Sequence, residues 1–274
     1  MTAVNPFLDP FRLDELYGGT SRLANRSGAL LRAKIEGSPV PETIVRLARQ
    51  CRPGRPGLVF DIGCGRGSST LALNEGLQPV RLVGVDASLA LLSEARRRVP
   101  AHFLRADFHR LPFPDDIGGM AVAAFCLYHS RRPGDVVAEM ARILAPGGIA
   151  VLVSKSLDSY RELDVLVAAA GLDSDAAQRE SLYITAHSGN LASLAAASLD
   201  VLAVHEEEHR FLFTGLDHVA EYLATTPKYR FGPGLYGDPG ALAAALHARL
   251  PDGPLATRST VTYVVARSRE GAQR

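Results

Sequence analysis

The fifteen residues VFDIGCGRGSSTLAL, from Val59 to Leu73, set three glycines and one carboxylate at the end of an apolar run. Glycine at such a place lets the backbone take positive φ and approach a ligand closely. A glycine-rich turn between a strand and a helix usually receives a phosphate, because bare N–H groups and the helix N-terminus favour negative charge. Here the register differs. Gly63, Gly65 and Gly67 are followed by Ser68, so the G-x-G-x-x-G pattern of a dinucleotide site is missed by one position. Asp61 stands two residues before the first glycine. A carboxylate there repels a pyrophosphate and suits a ligand with positive charge.

Two further acids fall where an adenosine needs them. Asp86, in VGVDAS, ends the next apolar run and is followed by Ala87. From that place a carboxylate accepts both ribose hydroxyls in doubly wound folds, a role that does not by itself separate one nucleotide cofactor from another. Asp107, in RADFHRLPF, can accept from an adenine amino group, while Phe108 offers a backbone N–H and a flat apolar wall. An adenosine joined to both an ammonium and a sulfonium satisfies all three acids, and S-adenosylmethionine is that molecule. Cys64, inside the turn, reads as a small thiol filling space, since no acid–base partner lies near it in sequence.

The elements that must hold these residues follow from periodicity. GLVFDIG, RLVGVDAS, HFLRADF, GMAVAAF and GIAVLVS read as short strands, with helices at 69–76, 89–98 and 136–144 between them. Such alternation implies a parallel sheet covered on both faces. It places Asp61, Asp86 and Asp107 at successive strand ends, on the carboxyl edge where open α/β sheets bind ligands. Two leading helices are expected, one carrying Leu23, Leu30, Leu31 and Ile35 and one over 42–50. Beyond Lys155 a helical signal dominates to about Ser198. Two more strands follow, in LDVLAVHEEEHRFLFTG and TRSTVTYVVARS, with helices at 216–224 and 239–249 between them.

With DIGCGRG, VDAS, ADFHRLPFPDD and EMARILAPGGIAVLVS in place, residues 57–155 resemble the core of the class I S-adenosylmethionine-dependent methyltransferases. The resemblance implies a doubly wound, mostly parallel seven-stranded sheet whose last strand is antiparallel and slots between strands five and six. It implies one domain, divided into a helical N-terminal lid (1–50), the cofactor-binding core (51–155), helical substrate-side insertions around strand six (156–258) and a last strand and tail (259–274). It also raises AFCLYHSRRP, residues 124–133, because residues after the fourth strand of this family often contact the cofactor or order the substrate. Phe125 is then a cofactor contact. Tyr128 and His129 either do chemistry or simply pack and cap, and the reaction needs no strong base, since positioning of the nucleophile provides much of the acceleration. Family members also fold an N-terminal segment over the cofactor, which makes Tyr17, Arg22 and Arg26 candidates: Tyr17 toward the sulfonium, an arginine toward a carboxylate.

The bulk properties narrow the partners. A chain of 274 residues with 47% hydrophobic content buries a sizeable core, and no run of 18 apolar residues suggests a membrane span. The net charge of +1 gives no broad reason to hold nucleic acid or an anionic membrane, so a small-molecule substrate is expected. Three scattered cysteines without a CxxC, and an N-terminus without a basic-then-apolar signal, suggest a reduced, cytoplasmic protein. HEEEHR is no metal site on this reading, since His205 and His209 stand about 13 Å apart on a strand rising ~3.3 Å per residue. The alternatives to methyl transfer are a SAM-using enzyme that cyclises the cofactor and releases methylthioadenosine, or a binder without turnover.

Overall fold

A computed structural model describes residues 5–9, 16–17, 21–51 and 54–269, apart from the side chains of Ser21 and Arg22. In chain order the elements are α1 (Ser21–Ala33), β1 (Lys34–Glu36), α2 (Val40–Cys51), β2 (Leu58–Ile62), α3 (Ser68–Leu77), β3 (Arg81–Asp86), α4 (Leu89–Arg98), β4 (His102–Arg105) and β5 (Gly118–Ala124). They continue with α5 (Pro133–Ile143), β6 (Leu144–Lys155), α6 (Arg161–Ala169), α7 (Leu191–Ala196), β7 (Asp200–Phe213), α8 (Leu216–Leu223), α9 (Pro239–His247) and β8 (Leu255–Arg267). The chain forms two compact units: Ser38–Ser156, Tyr183–Glu207 and Val261–Arg274 make one, and Met1–Gly37, Leu157–Leu182 and Glu208–Thr260 make the other.

The first of these contains the parallel strands. β2 pairs in parallel with β3 and β5, β3 with β4, and β5 with β6, while β8 runs antiparallel to β6. Val59, Phe60 and Ile62 of β2 are fully buried, as a central strand covered on both faces requires. One side of the sheet packs Val59, Met120, Val122 and Val151 against Ile44, Leu47, Leu73 and Leu77 of α2 and α3. The hydrogen-bonded strand order is β1-β7-β8-β6-β5-β2-β3-β4, so the reversed last strand lies between the strands expected to flank it.

The order also holds an eighth strand. β1 pairs antiparallel with β7, with Lys34 opposite Phe211, and it takes Ile35 out of the helix expected to contain it. The helix stops at Ala33 because Lys34–Glu36 turn extended to pair with β7, and Gly37, at φ +96°, and Pro39 beyond them rule out a return to helix. The expected helical stretch after Lys155 is likewise shorter, consisting of α6 and α7 with turns between them. Asp173 organises those turns: it is buried, and its carboxylate accepts from Arg179 and from the Arg230 backbone N–H at 2.7 Å. A buried acid with two donors ties loop to loop, an arrangement that helical periodicity does not encode.

The second unit has its own core, in which Tyr160, Leu163 and Val167 pack with Phe213, Val219, Leu223, Leu242 and Leu246. Its α8 and α9 occupy the ranges expected for them to within two residues.

Candidate cofactor-binding and active site

Asp61 is the penultimate residue of β2 and is fully buried. Its Oδ2 accepts from Ser69 Oγ at 2.8 Å and Thr70 Oγ1 at 2.6 Å, both on the first turn of α3. Its Oδ1 is buried with no partner. Burial pushes the Asp61 carboxyl up to about 6; the Thr70 and Ser69 hydroxyls oppose the rise, and the charge of Asp86 adds to it. An acid left with one unmatched oxygen in a dry place is a site for a positively charged donor.

The turn above it is built from left-handed backbone, with Gly63, Gly65 and Gly67 at φ +66°, +53° and +80°. Gly63 is irreplaceable on packing grounds, since a Cβ there would lie 2.4 Å from Cys126 Cβ. The Cys126 thiol donates to the Ile62 carbonyl at 3.2 Å, which clamps the end of β5 onto the turn. Gly65 is different. A Cβ there would meet nothing within 4 Å, so the backbone borders open space where a ligand can lie against it. Cys64 is buried, and burial pushes its thiol well up, which removes any nucleophilic role.

Asp86 ends β3 across from the turn. Its Oδ2 accepts from Gly65 N–H and its Oδ1 from Ser88 N–H, each at 2.8 Å. Ser88 in turn caps α4 by accepting from Leu91 N–H at 3.2 Å. Ala87 is exposed, and its carbonyl accepts from Arg105 Nε at 3.0 Å. Burial raises the Asp86 pKa against these backbone hydrogen bonds. The result is a half-buried carboxylate with fixed orientation and unused lone pairs.

Asp107 lies just past β4 and is exposed. Its Oδ1 accepts from His109 N–H at 2.9 Å and from His109 Nδ1–H at 2.8 Å. Burial works against ionisation of Asp107, but the His109 backbone and imidazole outweigh it and hold the carboxyl below its usual range. His109 Nε2 then meets Ser130 Oγ at 2.7 Å, and that oxygen also accepts from Arg132 N–H. Asp107, His109 and Ser130 thus form a line with the look of a nucleophile triad. Ser130, however, is 1% exposed, so the line works as a tie between the loop after β4 and the turn after β5. Phe108 is half-buried, with its ring edge-on to His109 at 4.7 Å.

The turn after β5 carries Phe125, a non-glycine residue at φ +56°, and a 3₁₀ turn over Leu127–His129. Tyr128 is buried, with its ring 4.8 Å from His129 and 4.9 Å edge-on to Tyr183. Lys155, at the end of β6, holds its ammonium 5.0 Å from the Phe125 ring and 5.7 Å from Tyr183. Neither Lys155 nor Tyr183, nor the His109–Ser130 tie, was identified from the sequence. The one available signal was a lysine closing an apolar strand at the sheet's carboxyl edge.

The glycine turn, Asp61, Asp86, Asp107, Phe108, Phe125, Tyr128 and His129 all belong to the same compact unit. Tyr17 lies in the other, half-buried in a described helical stretch, and the side chain of Arg22 falls outside the described residues. Among the described residues no group of three or more His, Cys, Asp or Glu is placed to hold a metal ion. None of the described helices is long and apolar enough to cross a membrane.

Residues 60–152 match the family model described as a methyltransferase domain. Residues 60–152 are a methyltransferase domain. It is 37% identical over 108 residues to a trans-aconitate 2-methyltransferase of Methylobacterium nodulans, covering 38% of this chain and 40% of that protein. It is 30% identical over 110 residues to a malonyl-[acyl-carrier protein] O-methyltransferase of Marinomonas, covering 39% of this chain and 41% of that one. The match therefore spans less than half the length of these curated relatives. Among solved structures, a Haemonchus contortus phosphoethanolamine N-methyltransferase 2 superposes at a TM-score of 0.58 with 14% identity over 96% of this chain and 60% of its own. The [4+2]-cyclase SpnF superposes at a TM-score of 0.58 with 18% identity over 98% of both chains. At such identities the likeness is one of fold.

S-adenosylmethionine is the cofactor of this methyltransferase domain, and the residues present fit it. The unmatched Asp61 oxygen lacks the cationic donor that an ammonium is, Gly65 leaves bare backbone beside open space, and Asp86 retains acceptor capacity for a diol. A pH dependence follows. In the ligand-free protein Asp61 becomes neutral as pH falls through about 6, and a neutral acid no longer attracts an ammonium. S-adenosylhomocysteine, which keeps that ammonium, should bind more tightly as pH rises from about 5 to about 7, approaching tenfold per unit below the Asp61 pKa. The stability of the ligand-free protein should move the other way. A native pKa above the unfolded value means that folding takes up a proton, so stability is lost as pH rises from about 4 to about 6, by up to about 3 kcal/mol. Calorimetric titrations and melts across this range, with Asp61→Asn as control, test both; an unchanged slope in that variant would assign the effect elsewhere.

Proposed function

We propose that this protein transfers the methyl group of S-adenosylmethionine to a small-molecule acceptor in the cytoplasm. The observation that supports this most strongly is the buried, half-satisfied Asp61 beneath an open left-handed glycine turn, inside a methyltransferase domain. In this reading Asp61 balances the cofactor's positive charge, and Gly63, Cys64, Gly65 and Gly67 present backbone to it. Asp86 and Ala87 hold the ribose, Asp107 and Phe108 the adenine, and Phe125 borders the same site. When bound, the cofactor supplies a methyl carbon already activated by its sulfonium. The protein's own contribution is then chiefly orientation and exclusion of water. His129 is the candidate to orient the acceptor or take its proton, with buried Tyr128 as the wall that fixes its ring, and Tyr17 is a further candidate. Names such as trans-aconitate 2-methyltransferase among the relatives support a small acceptor.

A class I fold does not by itself fix the chemistry, since a [4+2]-cyclase shares it. Product analysis separates the readings. Purified protein is incubated with S-adenosylmethionine alone and then with a pool of cell metabolites, and the adenosyl product is identified by mass. Methyl transfer yields S-adenosylhomocysteine only when an acceptor is present. Methylthioadenosine from the cofactor alone, above its uncatalysed background, would instead establish intramolecular cyclisation, and unchanged cofactor in both arms would mark a binder without turnover.

A further inference from the structure

The unit made of Met1–Gly37, Leu157–Leu182 and Glu208–Thr260 treats its buried cations in two ways. Lys228 pairs with Asp164 at 2.5 Å, and the same acid takes the Tyr229 hydroxyl at 2.9 Å. Arg179 pairs with Asp173, with Nη2 on Oδ1 at 2.9 Å. Arg26, on α1, has no such arrangement: its Nε and Nη2 are both buried, and neither has a hydrogen-bond partner. Each buried N–H left without an acceptor keeps its full desolvation cost.

Which two nitrogens are orphaned is informative. Nε–H and Nη2–H form one edge of the guanidinium, with parallel N–H bonds spaced to meet the two oxygens of a carboxylate. The neighbourhood is apolar and aromatic. Tyr160 and Tyr222 are buried with ring centres 5.9 Å apart, and Arg26 lies close enough to favour ionisation of both phenols, although burial itself pushes both well up. Tyr160 is held at φ +63°, a strained conformation for a tyrosine, by its N–H on the Arg258 carbonyl at 2.8 Å and by edge-on packing against Phe211 at 5.4 Å. One cation near these rings, with Lys228 already committed to Asp164, balances one negative charge and not two.

We propose that Arg26 anchors the carboxylate of a small organic acid bound within this unit. The test uses the full chain with benzoate, octanoate, inorganic phosphate and the neutral isostere benzamide at matched ionic strength, followed by thermal shift and calorimetry. Benzoate or octanoate should raise the Tm of the wild type, with benzamide inert and phosphate weaker. Arg26→Lys, which keeps the charge but loses the fork, should bind the carboxylate at least tenfold more weakly. Arg26→Met should lose the response altogether while matching or exceeding the wild-type Tm without ligand, because it removes two buried N–H groups that have no acceptor. S-adenosylhomocysteine affinity should stay within twofold in both variants. Equal responses to benzoate and benzamide, no response to either carboxylate, or an undiminished response in Arg26→Met would overturn the proposal. The two readings fail separately: cofactor binding without Arg26-dependent carboxylate binding removes only the anchor. Arg26-dependent binding without acceptor-dependent S-adenosylhomocysteine removes only the methyl-transfer reading.

Discussion

Asp86→Ala is expected to weaken S-adenosylhomocysteine binding by about 1.5–3 kcal/mol or more, roughly ten- to a hundredfold at the least. Two losses combine. The ribose diol loses a charged acceptor, and the Gly65 and Ser88 N–H groups, each bonded to Asp86 at 2.8 Å, lose theirs as well. The second loss frees the left-handed glycine turn that the proposed site presents to the cofactor. Titration calorimetry measures the change and circular dichroism checks the fold; unchanged affinity in a folded variant would remove Asp86 from the site. Asp107→Ala should matter much less, because that carboxylate is 67% exposed and already tied to His109.

Gly63→Ala should be the most destabilising single methyl added to this turn. The new Cβ would lie 2.4 Å from Cys126 Cβ and 2.8 Å from its sulfur, at a φ of +66°. Left-handed backbone in a residue with a Cβ costs about 1–2 kcal/mol, and overpacking adds roughly 1–3. At this chain length the sum corresponds to a Tm lower by roughly 5–15 °C. Gly65→Ala is the internal control. Its Cβ meets nothing, so only the backbone cost remains and stability falls by about 1 kcal/mol, while the added methyl occupies space beside the turn and weakens cofactor binding. Cys126→Ala leaves the offending Cβ in place and should not rescue Gly63→Ala, whereas Cys126→Gly should restore part of the loss. Equal melting temperatures for the two glycine variants would show that the clash is relieved by movement of β5.

Much of the cofactor-binding unit was legible in the chain because its determinants are local. Apolar runs of strand length, amphipathic segments between them, and acids at run ends specify β2 through β6 and place Asp61 and Asp86 on one edge of a parallel sheet, whatever lies further away. The reversed β8 followed from family resemblance. Residue spacing also marked the glycine turn as unsuited to a pyrophosphate, a conclusion about charge that needs no coordinates. Tertiary structure decided what depends on contacts between distant segments. That Gly63 is required by Cys126, that Asp61 keeps one oxygen unmatched, and that His109 joins Asp107 to Ser130 are all results of packing across strands separated by tens of residues. The same holds for β1, a three-residue strand too short to show a period, which exists because the edge of β7 offers it hydrogen bonds. Arg26 is the clearest case: the sequence, through the family resemblance, offers it together with Arg22 as a candidate to meet a carboxylate, but does not separate it from a solvated arginine on an amphipathic helix. Only burial of both its Nε and Nη2 without partners gives it a chemical preference, because a charge is costly in proportion to the water it has lost.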